Sequence, residues 1–292
     1  MIIVALKGGL GNQMFQYALG RKLALVTGDA LALDLSQLDR AIEVGDVHRP
    51  FALGTFPIKA SVATPEEIAR IKHPYGLLSK LVRWFSSKVL RQMHVGWEPG
   101  VLTGSGDRYF DGYWQSPKYC EAIRPALLED FTAALSPEAR TLAHGIGETD
   151  SVSIHVRRGD YVANPMVRVM YGPCSLDYYA RAVREIEERV LNPSWFVFSD
   201  DIAWVRKNLQ LPKDTTYVSG QSISDVEELM LMAACKHAVI ANSSFSWWGA
   251  WLNRNTKKVV VAPLPWFDTR TDGHKDLIPA SWIRIPKHQH HS

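Results

Sequence analysis

The sequence predicts an α/β protein made of doubly wound βαβ layers, and three features of its 292 residues lead to this fold class. Short apolar runs without strict alternation recur along the chain, which is typical of parallel strands buried on both faces. Helical patterns separate the later runs, so strands and helices alternate. A polar, Gly-containing stretch at Gly145–Asp150 lies immediately before a new strand. We therefore predict two Rossmann-like domains, at residues 1–147 and 148–292.

Each predicted element is supported by its local sequence. The first apolar run ends in a Gly-rich turn that leads into a helical pattern, and Ser224 and Glu227 form a capping box at the start of a later helix. The predicted strands are Ile2–Leu6, Leu31–Leu35, Val152–Val156, Trp195–Phe198, Ala238–Ala241 and Val259–Val261. The predicted helices are Met14–Val26, Leu176–Val190, Asp201–Asn208 and Asp225–Cys235.

Composition and charge exclude several classes of protein. Hydrophobic residues make up 46% of the chain and charged residues 22%, which suffices for a large buried core. The net charge of +3 is too small for a general nucleic-acid binder, so we expect no nucleic-acid partner. Cys120, Cys174 and Cys235 are odd in number and widely spaced, which indicates reduced thiols. There is no basic signal-peptide start and no apolar run of ~20 residues, so we expect a cytoplasmic protein.

One segment, Ile68–Trp97, contains basic residues and no acidic residue. Its apolar residues recur at helical spacing opposite the basic positions, as in a helix that touches anionic lipid or a partner. The alternative is a helix that packs on its own domain with a solvated basic face, which is common in globular proteins and which we favour. A weak peripheral contact with the inner face of the membrane is left open.

The densest group of polar residues is Ser153–Tyr161, at the end of a predicted strand. Side chains alternate across a strand, so His155 and Arg157 point to one face. Arg158 and Asp160 follow at the carboxyl end, where open α/β sheets bind ligands. The planar fork of an arginine suits a diphosphate, and Arg157 is the first candidate for that contact. Arg158 either contributes to the diphosphate contact or holds Asp160. The less favoured alternative is an Arg–Asp pair that only stabilises the turn, because two adjacent arginines at the end of a buried strand are a costly way to do that alone.

Two further strands run into helices through polar residues. After Phe196–Ser199, the Asp200 carboxylate can accept bonds from a guanine edge or from ribose hydroxyls, whereas helix capping is an equal alternative for Asp201. After Val239–Ala241 comes a run of small polar residues at a helix N-terminus, a favourable site for an anion. The polar residues of this run include Asn242, Ser243, Ser244 and Ser246.

The N-terminal loop allows a dinucleotide interpretation. Gly8–Gly11 follows a strand and opens a helix, and Asp34 ends the next predicted strand, where a ribose-binding acid would lie. The third glycine of that fingerprint is missing, so a nicotinamide-dependent oxidoreductase is the second hypothesis. A non-catalytic phosphate-binding or membrane-binding module is the third. The histidines are scattered, so we expect no metal site.

Five sequence blocks, in this order, resemble the bacterial α-1,2-fucosyltransferase family. The blocks are GGLGNQMFQYALG at Gly8–Gly20, GYWQS at Gly112–Ser116, HVRRGDYV at His155–Val162, FSDD at Phe198–Asp201 and ANSSFSWWGAWL at Ala241–Leu252. The resemblance implies a GT-B-like architecture, in which two Rossmann-like domains face each other across a cleft and the carboxyl-terminal one holds GDP-fucose. It also implies a metal-independent reaction that inverts the anomeric configuration, with a galactose-terminated oligosaccharide as the acceptor.

Carried over to this sequence, the resemblance assigns roles to individual residues. Arg157 becomes the diphosphate ligand, and His155 and Asp200 become guanosine contacts. The residues that would face the phosphates are Asn242, Ser243, Ser244 and Ser246. The residues that would border donor and acceptor are Gly9, Gly11, Asn12 and Gln13. The residues named for acceptor contacts are His48, Tyr113, Trp114 and Gln115, with packing at a domain edge as an equal alternative for Tyr113 and Trp114.

The mechanism expected from the resemblance is a single in-line displacement. Arg157 and the helix N-terminus at Ser243–Ser246 would stabilise the charge on the leaving diphosphate. The acceptor hydroxyl needs a base, and Asp160 is the candidate because it is the only acid between Asp150 and Asp177. The alternative role for Asp160 is to orient Arg157 or Arg158.

Overall fold

A computed structural model describes residues 1–38, 49–72, 89–92, 96–104, 106–220, 222–269 and 276–288 of the chain. The chain divides into two compact units. Unit 1 comprises Met1–Thr132 and Lys275–Leu277, and unit 2 comprises Ala133–His274 and Ile278–Ser292.

Unit 1 is built on a sheet in which, among its described residues, five strands pair in parallel. The strands are β1 (Ile2–Ala5), β2 (Leu31–Asp34), β3 (Ser61–Val62), β4 (Val89–Arg91) and β5 (Arg108–Asp111), in the order β3-β2-β1-β5-β4. The helices are α1 (Leu10–Thr27), α2 (Pro65–Lys72) and α3 (Arg124–Asp130). β1 is buried at all four positions, as expected of an apolar strand in the middle of a parallel sheet. α1 ends at Gly28, which takes the left-handed conformation (φ 74°) that favours glycine.

Unit 2 contains a second sheet, in which six described strands are all parallel. The strands are β6 (Ser151–Val156), β7 (Ser194–Ser199), β8 (Thr216–Tyr217), β9 (His237–Val239), β10 (Val260–Leu264) and β11 (Ile283–Pro286), in the order β11-β10-β9-β6-β7-β8. The helices are α4 (Pro137–Gly147), α5 (Gly159–Ala163), α6 (Pro165–Tyr171), α7 (Leu176–Glu187), α8 (Ile202–Asn208), α9 (Asp225–Ala234) and α10 (Ser244–Leu252).

The core of unit 2 explains why β6 is buried along its whole length. Ile154 and Val156 belong to a cluster with Tyr178 and Ile186 of α7. Alternation along the strand places His155 on the opposite face, where its ring lies 5.8 Å from that of Phe245 in α10. Both faces of β6 are therefore covered, and all six residues are buried.

The capping box predicted at Ser224 and Glu227 is confirmed. Glu227 also accepts a hydrogen bond of 2.7 Å from the backbone N–H of Ser136, immediately before α4. This contact ties α4 to α9 and therefore to unit 2.

In each sheet, one strand lies at a point where the chain reverses its direction of travel across the sheet. In unit 2, β6 is flanked by β7 on one side and β9 on the other. In unit 1, β1 is flanked by β2 and β5 in the same way. The carboxyl ends of β6 and β9, and those of β1 and β5, are therefore the topological switch points at which open α/β sheets bind ligands.

The α/β class is confirmed, and two units with parallel sheets are the organisation expected of a GT-B-like protein. The sequence analysis divided the chain at residues 147 and 148, whereas the units divide at Thr132 and Ala133, because α4 packs on α9. The short strands β3, β4, β5, β8 and β11 were not predicted.

The basic segment Ile68–Trp97 can be followed only in part, because residues 73–88 and 93–95 lie outside the described residues. Ile68–Lys72 forms the end of α2, and Val89–Arg91 forms β4, so the segment is not one continuous helix. No helix in the described ranges is long and apolar enough to cross a membrane.

Candidate functional site

Three loops meet at the carboxyl edge of the unit 2 sheet. His155 is in register with Phe198, Val156 is in register with Ser199, and Ile154 is in register with Val239. The residues that follow β6, β7 and β9 therefore emerge side by side at the switch point. These residues are Arg157–Asp160, Asp200–Asp201 and Ile240–Ser243.

Arg157 lies between two carboxylates at this edge. Its Nε and Nη2 donate to Asp160 Oδ1 at 3.1 and 2.8 Å, and its Nη1 lies 3.2 Å from Asp200 Oδ2. Burial works to lower the pKa of Arg157, but the charges of Asp200 and Asp160 outweigh it and the pKa is raised. The guanidinium is therefore a fixed cation. Its two bonds to Asp160 use two of its five N–H groups, so donors remain on both Nη atoms.

Arg158 makes a different set of contacts. Its guanidinium carbon lies 3.5 Å from the centre of the Trp204 ring, and its Nε is 3.4 Å from Asp201 Oδ2. Its backbone N–H donates to Asp200 Oδ1 at 2.8 Å. The side chain thus clamps the end of β6 to the start of α8 through a cation–π contact and an ion pair. Asp201 also caps α8 by accepting from the backbone N–H of Trp204 at 3.1 Å.

Gly159 allows the loops after β6 and β7 to approach closely. A Cβ atom built on Gly159 would lie 2.6 Å from Asp200 Oδ2 and 3.3 Å from Asp200 Cγ. Atoms at that distance overlap, so any side chain here would displace the carboxylate that pairs with Arg157.

His155 is a buried, neutral imidazole. Only 4% of the residue is exposed, and its Nδ1 has no hydrogen-bond partner among the described residues. Burial, followed by the charge of Arg157, lowers the pKa of His155 to about 3. An unpaired ring nitrogen at this depth is costly unless a ligand or water meets it, so His155 is suited to bind one.

The polar residues of the loop before α10 have two different roles, of which the first is to hold the loop in place. The Asn242 amide donates to the carbonyls of Tyr171, Gly172 and Trp266 at 2.8–3.1 Å, and the Ser246 hydroxyl donates to that of Ala241 at 3.4 Å. These two side chains brace the loop, a role that the sequence analysis did not assign to them.

Ser243 is the N-cap of α10, and no side chain caps this helix end. The first N–H groups of a helix have no partner within the helix, so the Ser243–Ser244 end of α10 is the part of this loop suited to an anion.

Glu228 is a buried carboxyl near Asp200 that the sequence analysis did not consider. Burial, with the nearby charges of Asp225 and Asp200, raises the pKa of its carboxyl to about 7, while a hydrogen bond with Ser219 opposes the shift. Its position in the first turn of α9 looked like ordinary helix-terminal charge. Glu228 and Asp200 are far apart in the sequence, and only the folded chain brings the charge of Asp200 close enough to act on Glu228.

The Gly-rich loop belongs to unit 1, where Gly9 is the N-cap of α1 and Gly11 is buried in its first turn. Gln13 is fully buried and bonds the carbonyls of Gly8 and Pro50 and the N–H of Ala52. Asn12 Oδ1 accepts from Gln115 Nε2 at 2.7 Å. Gln13 therefore braces the loop, whereas the half-buried Asn12 lies at its surface.

Asp34, the candidate ribose acid of the oxidoreductase hypothesis, is locked inside unit 1. It is fully buried, accepts from the Tyr109 hydroxyl at 2.6 Å and from the backbone N–H of Ser36 at 2.9 Å, and lies 3.6 Å from Lys72 Nζ. Such an acid is not placed to meet a ribose.

Two remaining expectations concern His48 and metals. His48 lies outside the described residues. Within the ranges that the structure describes, no group of three or more His, Cys, Asp or Glu side chains could hold a metal ion.

The sequence and the fold were compared with those of known proteins. The model of "Glycosyl transferase family 11" matches residues 100–286. The chain is 34% identical to the alpha-1,2-colitosyltransferase of Escherichia coli, over 98% of this chain and 99% of that protein. It is 31% identical to the O-antigen biosynthesis glycosyltransferase WbnK of Escherichia coli, over 96% and 99% of the two chains. It is 29% identical to the galactoside 2-alpha-L-fucosyltransferase Sec1 of Mus musculus, over 86% and 64%.

Among solved structures, the NodZ alpha-1,6-fucosyltransferase soaked with GDP-fucose matches 85% of this chain and 90% of its own, with 15% identity and a TM-score of 0.46. The sequence relatives are transferases of sugars and give no support to a nicotinamide-dependent oxidoreductase. They likewise give no support to a membrane contact.

Proposed function

This chain belongs to glycosyl transferase family 11, and from that premise we propose that it is a galactoside α-1,2-fucosyltransferase. It transfers L-fucose from GDP-β-L-fucose to the 2-hydroxyl of a terminal galactose on an oligosaccharide. The observation that carries the proposal is the position of Arg157, which lies between Asp160 and Asp200 at the end of β6, next to β9, the strand that leads into α10.

The diphosphate of the donor binds to Arg157 and to the N-terminus of α10. The N–H groups left on the Nη atoms of Arg157 give charge-assisted bonds to phosphate oxygens. Two carboxylates accompany this one guanidinium, so the arginine alone does not supply enough positive charge. The uncapped backbone N–H groups at Ser243 and Ser244 supply the rest.

The guanosine binds beside the diphosphate, at His155, Asp200 and Glu228. His155 offers an unpaired, neutral ring nitrogen. Asp200 and Glu228 offer carboxyl oxygens, which match the N–H donors of a guanine edge or the hydroxyls of ribose. The raised pKa of Glu228 agrees with a carboxyl that lies close to Asp200.

The transfer is a single displacement with inversion. As the bond from fucose to GDP breaks, negative charge grows on the diphosphate, and Arg157 with the α10 N-terminus stabilises it. The base that takes the proton from the acceptor hydroxyl is proposed to be Asp160. The two bonds from Arg157 to Asp160 Oδ1 support the other role of this carboxylate, that of orienting the arginine. No metal enters this scheme.

A second donor is favoured by one of the relatives. The Escherichia coli protein that is 34% identical to this chain is named a colitosyltransferase. Colitose is the 3-deoxy form of L-fucose, so one site could serve both sugars unless it bonds the 3-hydroxyl. The test is competition between the two GDP-sugars for one acceptor.

The proposal is tested by incubating the protein with GDP-fucose, lactose and EDTA. GDP release is followed, and the linkage of the product is read by NMR. An α-1,2-fucosylated product formed with EDTA present is the expected result. Activity that the chelator abolishes would contradict the metal-independent mechanism, and a protein that neither turns over GDP-fucose nor gains thermal stability from GDP would contradict the donor.

A further inference from the structure

Tyr161 is a buried residue of α5 to which the proposed mechanism gives no role, although it follows directly after Asp160 in the chain. Its side chain contacts both of the elements that are proposed to bind the diphosphate. We propose that Tyr161 is a positioning residue that couples Arg157 to the N-terminus of α10, so that both meet the diphosphate together. The inference rests on the proposed function and deepens it by naming a residue that keeps the donor site in shape.

The hydroxyl of Tyr161 reaches the loop before α10. It donates to the backbone carbonyl of Asn242 at 2.8 Å, and the next residue, Ser243, is the N-cap of α10. Burial raises the pKa of Tyr161 well above its ordinary value, so the hydroxyl stays protonated and remains a donor. This bond ties α5, which follows β6, to the loop that follows β9.

The ring of Tyr161 lies close to the guanidinium of Arg157. The guanidinium carbon is 5.7 Å from the ring centre, within the ~6 Å over which an aromatic ring attracts a cation. Asp160 already accepts two bonds from Arg157, and the ring adds a further constraint on the same cation. A shift of the Tyr161 side chain therefore acts on the guanidinium as well as on the loop before α10.

The ring of Tyr161 is itself supported from α6. Tyr171, the last residue of α6, stacks on it with ring centres 5.1 Å apart and 27° between the ring planes. The carbonyl of Tyr171 accepts from Asn242 Nδ2 at 2.8 Å and from Nζ of Lys287. Lys287 is fully buried, and its Nζ lies 2.8 Å from Asp268 Oδ1. A side chain that is locked by packing and by buried hydrogen bonds can hold a binding group in its productive position, so Tyr161 is suited to this role.

The test compares Tyr161→Phe with Tyr178→Phe in the full-length protein. Tyr178 is the matched control, because its hydroxyl is also buried and donates to a carbonyl near the end of β9, that of Ile240, at 2.6 Å. Its ring, however, belongs to the apolar core of unit 2. Each variant keeps the ring and loses one buried hydroxyl. The measurements are the Kd for GDP by calorimetry, the Kd for guanosine by displacement of GDP, kcat for fucose transfer, and the midpoint of urea unfolding.

In Tyr161→Phe, we expect the Kd for GDP to rise and kcat to fall, each by about three- to tenfold, as for the loss of one buried hydrogen bond. The Kd for guanosine stays within about twofold of wild type, because the nucleoside has no diphosphate for the site to hold. In Tyr178→Phe, both Kd values and kcat stay within about twofold of wild type. The urea midpoint falls in both variants, because each leaves a buried carbonyl without its donor.

The comparison of GDP with guanosine separates positioning from a purely structural role. If Tyr161→Phe binds GDP as wild type does, or weakens GDP and guanosine equally, the positioning role is refuted while the proposed function stands on the activity of the wild type. If the wild-type protein neither binds GDP nor transfers fucose, the proposed function fails and this inference fails with it.

Discussion

Replacing Gly159 with alanine perturbs the site by one methyl group at a known place. The new Cβ would lie 2.6 Å from Asp200 Oδ2. To restore an ordinary van der Waals contact, the carboxylate must retreat by about 0.8 Å. The backbone of Gly159 is not the obstacle, because it forms the first turn of α5 with no positive φ angle.

The retreat of Asp200 is costly because the carboxylate is held from two sides. Its Oδ2 lies 3.2 Å from Arg157 Nη1, and its Oδ1 accepts from the Arg158 N–H at 2.8 Å. Weakening one charge-assisted bond costs ~1.5–3 kcal/mol. If that loss falls on donor binding and on the transition state, kcat/KM drops by about 10- to 100-fold, since ~1.4 kcal/mol corresponds to a factor of ten.

The free energy of unfolding is expected to behave differently from activity. Alanine is favoured over glycine inside a helix by about 1 kcal/mol, which offsets only part of the ~1.5–3 kcal/mol lost at Asp200. We therefore expect Gly159→Ala to lower the midpoint of urea unfolding by less than about 1 M, while activity and affinity for GDP fall by at least about tenfold.

Gly145→Ala is the matched control, because Gly145 also lies in a helix and a Cβ there meets nothing within 4 Å. It should gain stability and keep its kcat/KM. The assay is fucose transfer with GDP binding measured by calorimetry. If Gly159→Ala bound GDP and turned over as wild type does, the reasoning that Asp200 and Arg157 form one geometrically fixed unit would be refuted.

Three other predictions concern single groups. Arg157→Ala should lower kcat/KM by about 100- to 1,000-fold, since it removes the fixed cation at the leaving diphosphate; wild-type turnover in this variant would rule out the phosphate contact. The pKa of Glu228 is raised to about 7, so its contribution to stability is fully present below its unfolded pKa and is lost as the pH rises through 7. Glu228→Gln should therefore gain stability over wild type at pH about 8 relative to pH about 5 in urea unfolding, and an equal difference at both pH values would contradict the shift. Burial raises the pKa of the three thiols Cys120, Cys174 and Cys235, to about 12 for Cys174. All three are buried, and the thiolate is the reactive form, so a thiol reagent should label them only after unfolding. Rapid labelling of the native protein would show that one of them is accessible.

Much of the site could be predicted from the sequence because parallel strands deliver their carboxyl ends to one edge. Arg157, Asp200 and Ser243 each follow an apolar run. The structure brings Arg157 and Asp200 together and pairs β6 with β9, the strand that precedes Ser243. The alternation of side chains predicted that His155 and Arg157 point to one face. His155 lies in β6, whereas Arg157 lies in the loop that follows it. Those are local rules, and they hold before any long-range contact is known.

The sequence could not distinguish residues that bind from residues that brace. Asn242 and Ser243 are adjacent and polar, yet the Asn242 amide is consumed by three backbone carbonyls while Ser243 opens α10 without a side-chain cap. Arg157 and Arg158 are likewise adjacent, and only the position of Trp204 decides that Arg158 stacks away from its neighbour. Hydrogen-bond partners of this kind are distant in sequence and leave no local pattern.

By itself, the sequence determined the fold class, the strands that carry the site and the family. Strands buried on both faces appear as continuous apolar runs, and the motifs of the family follow one another in a fixed order, so both features can be recognised from neighbouring residues alone. The tertiary structure alone decided that α4 belongs to unit 2, that Glu228 lies near Asp200, and that Gly159 must lack a side chain. Each of these depends on which elements become neighbours once the chain has folded, and the packing of distant segments against one another sets those distances.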